Sequence, residues 1–314
     1  MEALLSRIRL KKRRRPPRLK ADPVSRPSHA IRACCLLLLL MVLLFSVLAF
    51  SVSADTLKVG IFPRRSADKT QQMFQPMMEY LRRELNMPVT LDVPPDFQAF
   101  WEQVSQGRYD LVHLNQYQYL LANQQFGYRA VLMNEELGRS KIASVIWVRK
   151  DSGIRKPLDL QGKKIIFGGG KQAMVSYIMA LDLLQRNGLE ESDYLMQFAI
   201  NPVNALLSLY YRQGSAAGAG DVLPQLPALK STIDLDEIKP LLKSQSVAQL
   251  PWAVSTKISP TQARRIQQAL TKLKDSHKGR QILGMAGLTG LVPAVDNDYT
   301  PHREIINRVL GEHF

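Results

Sequence analysis

The stretch DSGIRKPLDLQGKKIIFGGGKQAMVSYIMALD, from Asp151 to Asp182, predicts a turn, a strand, a glycine-rich bend and a helix, in that order. We expect the strand at Lys164–Phe167 and the helix from Lys171 to Arg186. Apolar residues recur along this helix at the spacing of one face, at Met174, Ile178, Leu181 and Leu184. A strand that passes through consecutive glycines into a helix leaves backbone N–H groups at the positive end of the helix dipole, where an anion can bind.

The glycine bend has two open interpretations. In the first, backbone N–H groups hold an oxyanion and Lys171 adds a movable cation; the residues involved are Gly169, Gly170, Gln172 and Ala173. In the second, the glycines serve only a tight turn and close packing. The sequence GGGK lacks the spacing and the Ser or Thr of a P-loop, so nucleotide hydrolysis is not predicted.

Residues 1–54 have the three parts of an export signal. A basic segment includes KKRRR at Lys11–Arg15, an apolar run extends from Ala33 to Phe50, and small residues end at Ala54. We therefore expect cleavage before Asp55 and a periplasmic protein without stable membrane insertion. The alternative is an uncleaved inner-membrane anchor, because about 18 apolar residues is near the lower limit for a membrane span. The long basic segment indicates either an extended leader or a start codon assigned too far upstream.

The charge of the chain is concentrated in this leader. The chain has 42 Lys and Arg against 27 Asp and Glu, of which the leader holds 11 and two, so the remainder carries 31 against 25, a net charge of +6. No basic patch with interleaved aromatic residues follows the leader, which excludes a nucleic-acid partner. Both cysteines, Cys34 and Cys35, also lie in the leader. We expect the mature chain to fold without disulfides.

Strand and helix patterns alternate along the mature chain, which is typical of an α/β fold. The predicted strands are 56–62, 89–93, 109–114, 143–148, 164–167, 197–200 and 250–255. The predicted helices are 69–86, 97–106, a short one after Asn115, 171–186, 202–212 and 260–274, with a helical C-terminal part from Gly279 that packs on one lobe. The small residues from Gly214 to Asp221 fit either a linker or a short strand beside a ligand-facing turn.

This order predicts two lobes, each a mostly parallel sheet flanked by helices. Residues 55–148 and 252–314 form the first, discontinuous lobe, and residues 149–251 form the second. Two hinge crossings are expected, near Ala143–Lys150 and Leu250–Ser255. The loops at the carboxyl ends of the strands then face a shared cleft that closes on a ligand.

Several segments of the chain resemble the periplasmic binding proteins of phosphate, phosphite and phosphonate importers, in the type II periplasmic binding protein superfamily. The segments are Phe62-Pro63, GRYDLVHLNQYQYL at Gly107–Leu120, RKDSGIRKPLDLQGKKIIFG at Arg149–Gly168 and KGRQILGMAGLTG at Lys278–Gly290. The resemblance covers about Leu57 to Tyr299. It implies capture of a small oxyanion between the lobes and delivery to an ABC permease.

The chain departs from this family where the ligand is expected. The family's Ser-Thr-Ser cluster corresponds to Gln172-Ala173-Met174, an acidic residue that meets a ligand amino group corresponds to Ala216, and a histidine corresponds to Asn204. Losing such hydrogen-bond partners shifts selectivity. An anion site remains expected, with backbone N–H groups, Lys171 and Arg64 or Arg65 in place of the lost hydroxyls.

Further ligand candidates lie where strands end. Arg64 and Arg65 end the first strand and are either cleft-facing or solvated. Asn115 and Tyr117 follow the third strand, where the family resemblance implies an aromatic ligand wall. Asn204 either contacts the ligand or caps a helix. His113 and Trp252 are interpreted as structural.

No arrangement of residues predicts an enzyme or a cofactor. The mature chain has no cysteine, its histidines lack metal-ligand spacing, and no serine lies in a nucleophile-elbow sequence. We expect a binding protein, and two roles stay open. One is the capture subunit of an ABC importer, and the other is a sensor that acts on a membrane histidine kinase or cyclase.

Overall fold

The structure is a computed structural model that describes residues 56–314. The predicted leader, the cleavage site and both cysteines lie outside the described residues. Between Thr56 and Phe314, no helix has the length and apolar character needed to cross a membrane.

The described residues alternate between strands and helices, as expected. The strands are β1 (Leu57–Ile61), β2 (Val89–Asp92), β3 (Leu111–His113), β4 (Arg129–Glu135), β5 (Lys141–Ile142), β6 (Ser144–Arg149), β7 (Lys164–Gly168), β8 (Leu195–Ala199), β9 (Ala216–Gly220), β10 (Ile238–Lys243), β11 (Val247–Ala248), β12 (Pro251–Val254) and β13 (Gly290–Pro293). The helices are α1 (Ala67–Leu85), α2 (Phe97–Ser105), α3 (Gln116–Phe126), α4 (Met179–Gln185), α5 (Pro202–Tyr210), α6 (Pro227–Lys230), α7 (Pro260–Thr271), α8 (His277–Met285) and α9 (Thr300–Leu310).

The strands form two larger sheets, each of which defines a lobe. The first sheet has the order β13-β4-β12-β3-β1-β2, and the second has the order β10-β6-β9-β7-β8. In the first sheet β1, β2 and β3 are parallel, and β12 is antiparallel to both β3 and β4, so β4 points the same way as β1. In the second sheet β7 is parallel to β8 and β9, and β6 is antiparallel to β9 and β10. Pairing is thus mixed in both sheets, while most strands of each share one direction.

The connections between the lobes lie closer to β5 and β11 than predicted. These two strands pair with each other outside both larger sheets, with Ile142 opposite Val247. β6 belongs wholly to the second sheet, because Ser144 pairs with Gly220, so the predicted boundary after Val148 is wrong and the crossing precedes β6. β12 belongs wholly to the first sheet, so the second crossing precedes Pro251.

The C-terminal part differs from the expected helical segment on one lobe. Strand β13 adds an edge to the first sheet, and helix α9 contacts helices of both lobes. Arg303 donates to Asn123 in α3 at 3.1 Å, and Arg308 donates to Asp182 in α4 at 2.6 Å. Buried Ile306 packs in the same apolar cluster as residues of both sheets. Helix α9 therefore straps the two lobes together.

The glycine- and alanine-rich segment at 214–221 is a strand and not a linker. β9 lies in the middle of the second sheet, between β6 and β7, and all of its residues are buried. A Cβ on Gly218 would lie 2.4 Å from the carbonyl oxygen of Ser176. The missing side chains therefore let the chain that follows β7 pack directly on the sheet.

Candidate functional site

The predicted site residues follow strands whose carboxyl ends meet at one edge of each sheet. Arg64 and Arg65 follow β1, Asn115 and Tyr117 follow β3, the glycine bend follows β7, and Asn204 follows β8. Parallel neighbours end at the same edge, so the first four residues gather on the first lobe and the others on the second.

The glycine bend, Gly168–Gly170, needs its glycines for two different reasons. A Cβ on Gly168 would lie 2.2 Å from Cα of Pro202, so the backbones of two segments touch there. Gly169 and Gly170 have φ angles of 90° and 81°, a left-handed conformation that favours glycine. The Gly169 N–H donates to the Ala199 carbonyl at 2.9 Å, which joins the bend to the end of β8.

The helix after the bend begins later than predicted. A five-residue π-helical turn at Met174–Ile178 leads directly into α4, so Lys171 and Gln172 lie in a turn before the helix. The N–H of Ala173 donates to the Gly170 carbonyl at 3.1 Å, so it is not available to a ligand as predicted. The hydroxyl of Ser176 donates to the Gly168 carbonyl and holds the bend closed.

A set of backbone donors nevertheless remains free at the bend. Six N–H groups at the bend have no hydrogen-bond partner among residues 56–314: those of Gly170, Lys171, Gln172, Met174, Val175 and Ser176. Three of these groups belong to the turn and three to the first turn of a helical segment that continues to Gln185. The donors concentrate the positive end of the helix dipole at the cleft edge of the second lobe.

The cations at the cleft edge are exposed. Lys171 and Gln172 are both exposed in the turn. Arg64 lies over the Phe62 ring, with its Cζ 5.8 Å from the centroid, and its Nη1 is 3.6 Å from Oε1 of Glu136. Desolvation and the like charge of Arg64 lower the pKa of Arg65 from the ordinary arginine value, although its side chain stays exposed.

Asn115 and Tyr117 have structural partners that the sequence did not reveal. Asn115 Oδ1 accepts the N–H of Gln118 at 2.8 Å, so Asn115 caps α3. The Tyr117 ring is buried, and its hydroxyl donates to Glu312 at 2.8 Å. Burial and this hydrogen bond raise the pKa of Tyr117 to about 12. In this conformation Asn115 Oδ1 and the Tyr117 hydroxyl are both engaged within the protein, and the proposed ligand contacts of the two residues stay a prediction.

Asn204 does not cap its helix. Asn201 caps α5, because its Oδ1 accepts the N–H of Asn204 at 2.9 Å. The Asn204 side chain is half-buried in the first turn, so the proposed ligand role of Asn204 stays a prediction.

The expected correspondence of Ala216 to a ligand-facing acidic residue is wrong. It is fully buried at the amino end of β9, opposite Ile165, and its side chain cannot reach the cleft edge. The residue at the carboxyl end of β9 is Asp221, which the small-residue pattern of 214–221 does not indicate as a site residue. Burial favours the neutral form of Asp221, but hydrogen bonds from Arg139, Ala143 and Lys243 outweigh it and lower the pKa of Asp221.

His113 and Trp252 are part of the core. The two rings stack with centroids 4.6 Å apart, and Trp252 Nε1 donates to Asn134 at 3.0 Å. Burial lowers the pKa of His113 to about 3, so the ring stays neutral. No group of three or more His, Asp or Glu side chains within 56–314 could hold a metal ion.

Two surface grooves lie away from these strand ends. A groove of about 270 Å³ lies between α1 and α8, lined by residues that include Glu79, Lys278 and Met285. A groove of about 590 Å³ lies at the opposite edge of the first sheet, beside Lys58 and Asp110. Neither of these two grooves includes a predicted site residue.

Comparisons with known proteins agree with the two-lobed fold. The family model for the periplasmic phosphonate substrate-binding protein of ABC transporters matches residues 59–299. The structure of PhnD1 from Prochlorococcus marinus in complex with methylphosphonate superposes with a TM-score of 0.70 at 15% identity, over 83% of this chain and 100% of that one. A binding protein of an ABC phosphonate transporter from Pseudomonas aeruginosa superposes with a TM-score of 0.67 at 12% identity, over 82% and 87% of the two chains.

A curated relative has a different role. The tetrathionate sensor histidine kinase TtrS of Salmonella typhimurium is 31% identical over 161 residues, which are 49% of this chain and 27% of that protein. The chain thus spans about a quarter of the length of that kinase.

Proposed function

Because the chain belongs to the family of periplasmic substrate-binding proteins of phosphonate ABC transporters, we propose that it captures a small oxyanion between its two lobes and delivers it to a membrane permease. The family is a substrate-binding one, and we propose no catalytic step. Export of the chain to the periplasm, through the leader at residues 1–54, is part of this proposal.

The observation that carries the proposal is the set of free N–H groups at the glycine bend. Six backbone N–H groups without partners among residues 56–314, including that of Lys171, lie at the bend after β7. Backbone donors at a helix start bind oxyanions without needing hydroxyl side chains. In this proposal they take the role of the family's Ser-Thr-Ser cluster, whose position in this chain is occupied by Gln172-Ala173-Met174.

Arg64 and Arg65 are the proposed cations of the first lobe. Both are exposed after β1, at the edge that faces the cleft. Closure of the lobes would bring a bound oxyanion within reach of these guanidinium groups, which suit the geometry of oxyanions.

A thermal-shift screen tests the proposal. We expect methylphosphonate, phosphite, phosphate, sulfate or an alkylsulfonate to raise the melting temperature, because a ligand at 100 times its dissociation constant adds about 2.7 kcal/mol of stability. Calorimetric titration should then give one site per chain. Absence of binding across the whole oxyanion panel would contradict the proposal.

Ligand sensing is the second candidate function, and the similarity to the tetrathionate sensor kinase favours it. In this role the closed lobes would act on a membrane kinase instead of a permease. Tetrathionate belongs in the ligand screen for this reason. Permease and ATPase genes beside the gene of this protein would favour transport, and a histidine kinase gene would favour sensing.

A further inference from the structure

Asp221, at the carboxyl end of β9, forms ion pairs with two cationic side chains. Asp221 Oδ2 lies 2.7 Å from Nη2 of Arg139 and 3.0 Å from Nζ of Lys243, and its Oδ1 accepts the N–H of Ala143 at 3.1 Å. The Asp221 side chain is 4% exposed, whereas those of Arg139 and Lys243 are 36% and 53% exposed. The carboxylate is therefore hidden, and the two cations around it meet solvent.

This cluster of Arg139, Lys243 and Asp221 adjoins the glycine bend. Gly218 in β9 lies opposite Phe167 in β7, so the residues that follow the two strands leave the sheet at the same edge. A Cβ on Gly220 would lie 3.6 Å from a methyl group of Val175, in the first turn after the bend. The bend and the cluster therefore lie next to each other at this edge of the second sheet.

The cluster also connects to the cations of the first lobe. Arg139 lies in the turn after β4, where its carbonyl accepts the N–H of Glu136 at 3.0 Å. Glu136 in turn lies 3.6 Å from Arg64. The carboxylates of Glu136 and Asp221 are both compensated by arginine, so neither is free to accept an ammonium group from a ligand.

We propose that Asp221, engaged by Arg139 and Lys243, determines specificity by making the cleft reject oxyanions that carry an ammonium substituent and favour those with a second negative group. This inference rests on the proposed capture of an oxyanion at the glycine bend. A ligand held there directs its substituent toward the neighbouring cluster. An ammonium then meets two partly exposed cations, whereas a carboxylate gains them as partners.

A matched series of ligands tests the inference. The probes are 2-aminoethyl-, ethyl- and 2-carboxyethylphosphonate, with the corresponding three sulfonates as a parallel series. We expect 2-carboxyethyl to bind at least about tenfold tighter than 2-aminoethyl, with ethyl between them, and the ratio to shrink at high salt. Equal or reversed affinities within a series overturn the inference but leave oxyanion capture intact. Failure of all six to bind also overturns the inference, whereas the proposed function is contradicted only if the whole oxyanion panel of the thermal-shift screen fails as well.

Two substitutions should shift this preference in opposite directions. Asp221→Asn keeps the side-chain shape and leaves both cations uncompensated, so the 2-carboxyethyl to 2-aminoethyl preference should widen several-fold. Arg139→Gln leaves the carboxylate with one cation, so the preference should narrow. Arg264→Gln is the control, because Arg264 is exposed on α7 and hydrogen-bonds only to Thr261 among residues 56–314.

Melting temperatures separate specificity from folding. If Arg139→Gln does not fold, Lys243→Gln repeats the test with a half-exposed side chain. Well-folded variants that keep the preference of the unsubstituted protein overturn the inference.

Discussion

Lys171 is exposed at the glycine bend and has no ion-pair partner within residues 56–314. If an anion binds there, Lys171→Ala removes a charge-assisted hydrogen bond worth about 1.5 to 3 kcal/mol, which weakens binding about tenfold to 150-fold. Calorimetric titration measures the affinity. Lys164→Ala is the control, because Lys164 is exposed at the amino end of β7, the strand that leads into the bend. Normal affinity in a well-folded Lys171→Ala protein would leave the backbone N–H groups as the donors.

Gly168 and Gly170 should respond differently to alanine. Gly168→Ala places a Cβ 2.2 Å from Cα of Pro202, so the two backbones must separate and the melting temperature should fall strongly. A Cβ on Gly170 would contact no other atom among residues 56–314, so Gly170→Ala should lower the free energy of unfolding by only about 1 to 2 kcal/mol, the cost of a left-handed conformation. Thermal melting compares the two. Equal decreases in melting temperature would contradict a packing role that is specific to Gly168.

His113 and His302 make stability depend on pH. Burial lowers the pKa of each to about 3, from 6.5 in the unfolded chain. The unfolded chain therefore binds more protons between these values, and stability should fall as pH decreases below 6.5, by up to about 1.4 kcal/mol per pH unit for each histidine. Denaturant unfolding between pH 7 and 5 should give a shallower slope for His302→Phe. The slope for exposed His277→Gln should be unchanged.

Local sequence patterns placed the candidate site residues at strand ends but did not reveal their partners. Arg64, Asn115 and the glycines each follow a strand whose pattern is readable locally, and their contact with a ligand stays a prediction. The partner of Tyr117 is Glu312, 195 residues away, which no local pattern reveals. Asp221 was missed because it ends a segment of small residues and because its partner Arg139 lies 82 residues away.

At the scale of elements, the strongly patterned segments were predicted and the short or interrupted ones were not. β1, α1 and α7 lie close to their expected bounds because each shows clear apolar periodicity. β4 was missed because its apolar run, residues 130–133, is only four residues long and is followed by polar Asn134, which is buried and accepts a hydrogen bond from Trp252. β13 is four residues long, begins with Gly290 and ends with Pro293, and a local pattern with these two residues indicates a turn.

Helix α9 should stabilise the molecule through a buried carboxylate. Asp182 is 7% exposed at its side chain, and Arg308 Nε lies 2.6 Å from its Oδ1. Arg308→Ala leaves this carboxylate without a close partner and should cost about 1 to 3 kcal/mol in the free energy of unfolding. Denaturant unfolding measures the loss.

Arg186→Ala is the matched control for Arg308→Ala. Arg186 lies 3.8 Å from the same carboxylate, but 66% of its side chain is exposed, so its loss should cost at most about 0.5 kcal/mol. Equal losses from the two variants would contradict a strap that acts through Arg308.

At the scale of the molecule, the fold is shared with proteins of low sequence identity. Identities of 12% and 15% accompany TM-scores of 0.67 and 0.70, so the fold persists although few residues are shared. This explains why the architecture was readable from a few segments such as Arg149–Gly168. Several of these segments prove to be structural. Arg149, for example, is buried and pairs with Asp151 and Glu237 on the second lobe.

Closure of the lobes should accompany binding. Apart from the strap of α9, the chain passes between the lobes beside β5 and β11, which pair over two residues each, a connection short enough to bend. A bound oxyanion at the glycine bend would attract Arg64 and Arg65 from the opposite lobe, and would thereby favour the closed state over the open one. Small-angle scattering should therefore show a smaller radius of gyration with a confirmed ligand than with an equal concentration of chloride. The Lys171→Ala protein should need more ligand for the same compaction. A radius that does not change at saturating ligand would mean that the lobes bind without closing, and that α9 holds them in the arrangement described here.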